Sequence, residues 1–144
     1  TTAYLELDSD SDAGLQMLSM QAEAFEKTGK TEDAISIYSN MYRDYLGSID
    51  VSAPACEKMM RLLWARGKGH YADNKDGTFT HSDKWTAWNR GSKYIEMVEP
   101  ITGQMTREER AAVAKVRALV EQYKGDSTVR DEIRAEAADR AKYQ

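Results

Sequence analysis

Apolar side chains recur along this chain at intervals of three and four with polar residues between them, a period that predicts helices over most of its length. Leu15, Leu18, Ala22 and Phe25 place the first helix over about 13–28. A break at Gly29-Lys30 follows. Thr31 is then the expected N-cap of a second helix over about 32–46, carrying Ala34, Ile37, Tyr38, Met41 and Tyr45 inward. Cys56, Met59, Met60 and Leu63 form the stripe of a third, about 53–66, with Gly67 near its end. Ser82 or Asp83 opens a fourth, about 83–98, whose Trp85, Trp88, Ile95 and Val98 share a face until Pro100 stops it.

Thr106 and Glu109 have the spacing of a capping box, in which each side chain satisfies a backbone N–H at a helix start. Behind them Val113, Val116, Leu119, Val120 and Tyr123 predict a fifth helix that runs to Gly125. The sixth, about 128–142, offers only the thin line Val129, Ile133, Ala137 and Ala141. So polar an element suits a lid on the end of a stack better than a core helix.

Composition sharpens this to a folded, all-α domain. Ala is frequent at 18 residues while Val and Ile together reach 12, which favours helix over strand. Leu, Ile, Val and Phe total only 22 of 144 residues, but 7 Met, 8 Tyr and 3 Trp add bulky apolar surface, and net charge is −4. The predicted organisation is an acidic, flexible leader over 1–12 and a single helical domain over 13–144.

The acidity is local: residues 1–33 hold eight acidic and two basic side chains, whereas 58–93 hold eight Lys or Arg against three Asp. That modestly basic middle is a steering surface for an acidic partner, yet too diluted by Asp73, Asp76 and Asp83 for a nucleic-acid stripe. No apolar run is long enough to span a membrane, and the single Cys56 rules out an intramolecular disulfide. A soluble, cytoplasmic chain is the expectation. A processed periplasmic or organellar form, with Thr1 as its trimmed start, reads the same.

The segment from Leu15 to Ser48 resembles one tetratricopeptide repeat, a helix-turn-helix of about 34 residues. Leu18, Ala22, Phe25, Ala34 and Tyr38 occupy that family's bulky, small and aromatic positions, and Thr28-Gly29-Lys30 falls at its turn. Small residues at the crossing let two helices approach while the aromatics fill the adjacent grooves. Gln21, Met41 and Leu46 depart from the pattern.

The likeness implies an all-α, right-handed array of about three antiparallel hairpins, with an inserted loop near 67–82. It also implies a concave groove that holds a peptide or helix of another protein. Phased on the family's inner helices, the groove takes Gln16, Ser19, Glu23 and Glu26 from the first helix and Glu57, Lys58, Arg61 and Trp64 from the third. An aromatic beside an arginine is a frequent hot-spot pair. Heat-shock co-chaperones of this family grip acidic C-termini with a Lys and an Asn where this chain has Ser19 and Glu23, so that clamp is missing.

No catalytic constellation emerges, and the expectation is a non-enzymatic interaction module without a cofactor. Ala72–Asp83 resembles a damaged calcium loop, with Asn74, Asp76, Gly77 and Phe79 in place but Ala72 at its start and Asp83 instead of the closing Glu. A small metal-binding protein using that loop is the alternative reading, and a homo-oligomeric structural subunit is a third. His70, Asp73, His81 and Asp83 share the loop without a spacing that fixes metal geometry. Cys56 lies on an apolar stripe, where a thiol behaves as a small hydrophobe. Trp64, Tyr71, Phe79, Trp85, Trp88 and Tyr94 cluster around the loop and predict that it folds back and packs, with Tyr71 and Phe79 as binding surface if exposed or as staples if buried.

Overall fold

A computed structural model describes residues 12–144. The predicted leader therefore lies outside the described residues, apart from Asp12 at the start of the first helix. Six α-helices follow in order among the described residues: α1 (Asp12–Lys27), α2 (Thr31–Asp44), α3 (Ile49–Arg66), α4 (Asp83–Val98), α5 (Arg107–Lys124) and α6 (Ser127–Arg140). Short 3-10 turns continue α4 over Glu99–Gln104 and α6 over Ala141–Tyr143. Between α3 and α4 two strands, β1 (Ala72–Asp73) and β2 (Phe79–Thr80), pair antiparallel with Ala72 opposite Thr80. The all-α expectation holds, with this hairpin as the only sheet among the described residues.

Local chemistry sets most boundaries. Gly29, at φ 77, turns α1 into α2, and Gly67 ends α3 in the left-handed conformation with its N–H donated to the Leu63 carbonyl. Ser82 Oγ accepts from Trp85 N at the start of α4, and the Thr106–Glu109 capping box is formed in both directions. Thr31 is already helical, preceded by Lys30 with no side-chain cap, so the expected cap there is absent.

The third helix also starts four residues before its predicted beginning at 53, because Pro54 sits inside α3 instead of marking its edge. Pro54 is exposed; it offers no N–H to the Asp50 carbonyl and its ring crowds that carbonyl, a local cost the rest of α3 carries.

The helices stack so that α2 packs on α1 and α3, and α4 and α5 both pack on α3. Ala22 and Ala34 are fully buried at the first crossing, as the small-residue pattern predicts. Met59, Met60, Cys56, Tyr94 and Val116 form the centre. There Tyr94 and Ser52, both fully buried, share a hydrogen bond of 2.6 Å between hydroxyls. The inward face of α4 is rotated from its prediction: Ala87, Gly91, Tyr94 and Val98 are buried, while Trp85, Trp88 and Ile95 are half-buried.

The last helix departs furthest from a hairpin array. It packs more against α4 than against α5, its sequence neighbour. Its inward residues are Val129, Glu132, Ile133 and Glu136, while Ala137 and Ala141, taken as apolar line from the sequence, are exposed. Polar pairs to the inserted hairpin hold it. Buried Glu132 accepts from Ser82 N at 3.0 Å and from the Ser82 hydroxyl. The His81 ring bridges Glu132 (Nδ1, 3.4 Å) and Glu136 (Nε2, 3.0 Å) and stacks on Trp85. Tyr71 donates to Asp139, and Phe79 meets Tyr143 edge-on with Arg140 above its ring. The loop folds back as expected, and of the two readings open for Tyr71 and Phe79 their half-buried contacts to α6 fit the staple.

Candidate functional site

The parallel course of α1 and α3 leaves a groove between them, floored by Tyr38 and Met41 of α2. Its volume is about 500 Å³, within the usual range for binding clefts. Leu15, Gln16, Ser19, Met20 and Glu23 form one wall, and Asp50, Val51, Pro54, Ala55 and Lys58 the other. A shallower extension continues along α3 between Glu26, Glu57, Lys58, Arg61 and Leu62. The lining is mostly apolar, and Met20 is 69% exposed with Met17, one turn back on α1, at 72%.

Seven of the eight residues phased from the sequence line the groove or its extension: Gln16, Ser19, Glu23, Glu26, Glu57, Lys58 and Arg61. Trp64 does not line it. Its ring stacks on Tyr123 of α5, centroids 3.8 Å apart and planes 6° from parallel, with Lys84 above the indole. That stack joins α3 to α5, so Trp64 serves packing and the Arg61–Trp64 hot-spot pairing is not assembled.

Five lining residues, Leu15, Met20, Val51, Pro54 and Ala55, carry the apolar character and were not singled out in the sequence. Leu15 counted as core, and Pro54 stood next to an expected helix boundary. Exposed methionines three residues apart at 17 and 20, just off the apolar stripe of the first helix, were the available signal.

Both cations of the groove face an acid within it. Glu26 accepts a hydrogen bond from the Tyr38 hydroxyl at 2.6 Å and stands 3.9 Å from Lys58 Nζ. Arg61 is held to Glu57 at 3.0 Å. Burial, the hydrogen bond to Glu26 and the nearby charges of Glu26 and Glu23 push the Tyr38 phenol well above its ordinary range. The hydroxyl stays protonated and serves as a fixed donor on the groove floor.

The polar side chains of the loop read as a calcium site bond largely within its own turn. Asp76 accepts from the Thr78 N–H at 2.9 Å and from its hydroxyl, Asp73 accepts from Lys75 N and from the Tyr143 hydroxyl, and the Asn74 amide bonds Thr78 and Thr80. Lys75 at φ 66 and Gly77 at φ 88 close a tight hairpin tip. Among the described residues no three His, Cys, Asp or Glu side chains gather with metal-holding geometry. Burial pushes the Cys56 thiol up to about 12, which leaves it protonated and shielded.

Asp83 closes the base of the insert: it accepts from Arg66 Nε at 2.6 Å, Arg66 Nη2 at 3.0 Å and Lys68 N at 2.9 Å. Burial pushes this carboxyl up, but the guanidinium and the N–H outweigh it and hold it below the usual carboxylate range. Glu136 is shifted the same way, burial being outweighed by His81 and Arg140. A carboxyl with a depressed folded-state pKa stabilises above its unfolded value near about 4 and loses that contribution as pH falls. Thermal unfolding followed by circular dichroism will therefore show a drop in Tm below about pH 4, and Asp83→Asn will flatten that part of the profile.

No protein-family model, curated protein or solved structure matches this chain.

Proposed function

We propose that the chain is a non-enzymatic protein-interaction module of tetratricopeptide-like build, which holds a peptide or helix of a partner protein between α1 and α3. The observation that carries this reading is the uncovered apolar groove, Leu15, Met20, Val51, Pro54 and Ala55 under a polar rim. Such a layout, an apolar centre ringed by charged side chains, is that of a protein-binding patch. The hairpin α1–α2, with Ala22 and Ala34 buried at its crossing, further supports it. The packing of α6 on α4 is foreign to a regular array, which limits the likeness to the first hairpins.

Met20 is the side chain to test, since it lines the groove and is largely exposed. Met20→Asp will leave the circular dichroism spectrum and Tm unchanged but weaken a partner, identified by cross-linking and then purified, by about 2 kcal/mol in calorimetric titration. Equal affinity in wild type and variant rejects the groove. A competing occupant is a second copy of the chain, seated through Met17 and Met20. Sedimentation across a concentration series identifies it if self-association disappears in the same variant.

A further inference from the structure

The rim of the groove states the charge of its occupant. Across the groove and its extension stand four carboxylates, Glu23, Glu26, Asp50 and Glu57, against two cations, Lys58 and Arg61. Both cations already face an acid, Lys58 facing Glu26 and Arg61 facing Glu57. No ion pair among the described residues involves Glu23 or Asp50, which stand on opposite walls and are exposed. An arriving chain meets the field of two unmatched carboxylates over an apolar floor. Lys58 and Arg61, read alone from the sequence, point to an acidic ligand, but their pairing reverses that sign.

The shape is equally specific. The walls run from Leu15 and Asp50 at one end to Glu26 and Arg61 at the other, about eleven residues, or roughly three helical turns and 16 Å. Both are α-helices, and the one sheet edge among the described residues is the two-residue ladder of the insert, so an added strand has no edge to join here.

Resting on the groove reading above, we infer that the partner is a short amphipathic helix of about three turns whose apolar face sits on Leu15, Met20, Val51 and Ala55 and whose lysine or arginine flanks meet Glu23 and Asp50. The methionine lip adapts to the shape of the incoming side chains, and the two carboxylates set sign and orientation. The same carboxylates disfavour an acidic partner segment in this groove.

The test uses three synthetic peptides of equal length: one with a Leu/Met helical face and Lys flanks, one with the same face and Glu flanks, and one with the Lys composition scrambled. Each is titrated into the 15N-labelled chain at low and moderate salt. The expected result is shifts at Gln16, Ser19 and Lys58, with the Lys-flanked helix bound at least about tenfold more tightly than the Glu-flanked one and weakened by salt. Reversal of that preference by Glu23→Lys/Asp50→Lys, a variant altered only on the surface, completes it. Equal or tighter binding of the Glu-flanked helix overturns the charge assignment and leaves the groove standing. Equal binding of the scrambled peptide overturns the helical occupant. Absence of shifts at the groove with all three removes the groove reading itself.

Discussion

Glu132→Ala is expected to destabilise the chain by about 3 kcal/mol, roughly 10 °C in Tm, the larger of the polar effects available in this structure. The carboxylate is only 5% exposed and serves as acceptor for three donors on the insert: the Ser82 N–H, the Ser82 hydroxyl and His81. Alanine strands those groups in a buried site, and the loss of a buried partner costs more than the bond itself contributed. Ser82 also caps α4, so the damage reaches the start of that helix. Glu132→Gln keeps one acceptor oxygen and should cost about half as much. Urea unfolding at neutral pH measures both, and equal stability of E132A and wild type would show the seam to be a surface contact.

Gly91→Val is expected to cost about 3 kcal/mol for the opposite reason, too much atom for the space. A Cβ placed on Gly91 falls 2.7 Å from Met60 Sδ, closer still to Met60 Cε, and 2.9 Å from Val120 Cγ2. α3, α4 and α5 meet at this point, and Met60 is fully buried. Its thioether therefore has nowhere to swing, despite its flexible bonds. Met60→Ala alone opens a cavity worth about 2–5 kcal/mol, but in combination with Gly91→Val each substitution offsets the other. The double variant should be more stable than the sum of the single losses predicts by about 1 kcal/mol or more. Strict additivity in urea unfolding would refute the close crossing.

These two sites also show what the sequence hides. The apolar period locates α1, α2 and α5, because their inward residues are the apolar ones. It misplaces α4 by a rotation, since the tightest crossing is made by Ala87 and Gly91, residues too small to register as hydrophobic, while the conspicuous Trp85 and Trp88 stay half-buried. It finds α6 with Val129 and Ile133 inward but misses the acidic face beside them. Glu132, Glu136 and Asp139 share one face at spacings of four and three, which looks like a solvated edge until the insert supplies Ser82, His81 and Tyr71 as partners. Acidic periodicity opposite a loop rich in His and Tyr was the only trace of that seam.

The groove was half legible. Gln16, Ser19, Glu23 and Lys58 follow from helical phasing, but Asp50, Val51 and Pro54 lie within a turn that the proline conceals. Phasing also says where a residue points and nothing about its neighbours. The pairing of Lys58 with Glu26 and the stacking of Trp64 on Tyr123 are tertiary facts, and they alter the charge the groove presents and take the aromatic out of it.

The seam that fastens α6 has a consequence for the order of events on the ribosome. All residues of the groove and its extension lie between Leu15 and Leu62, whereas the fastening needs His81 to meet Glu136 and Tyr71 to meet Asp139. Synthesis proceeds from the N-terminus at about 5–20 residues per second, so the groove has left the tunnel for several seconds before the last helix can dock. During that interval the residues that line the groove are outside the tunnel while α6 has yet to meet Ser82, His81 and Tyr71.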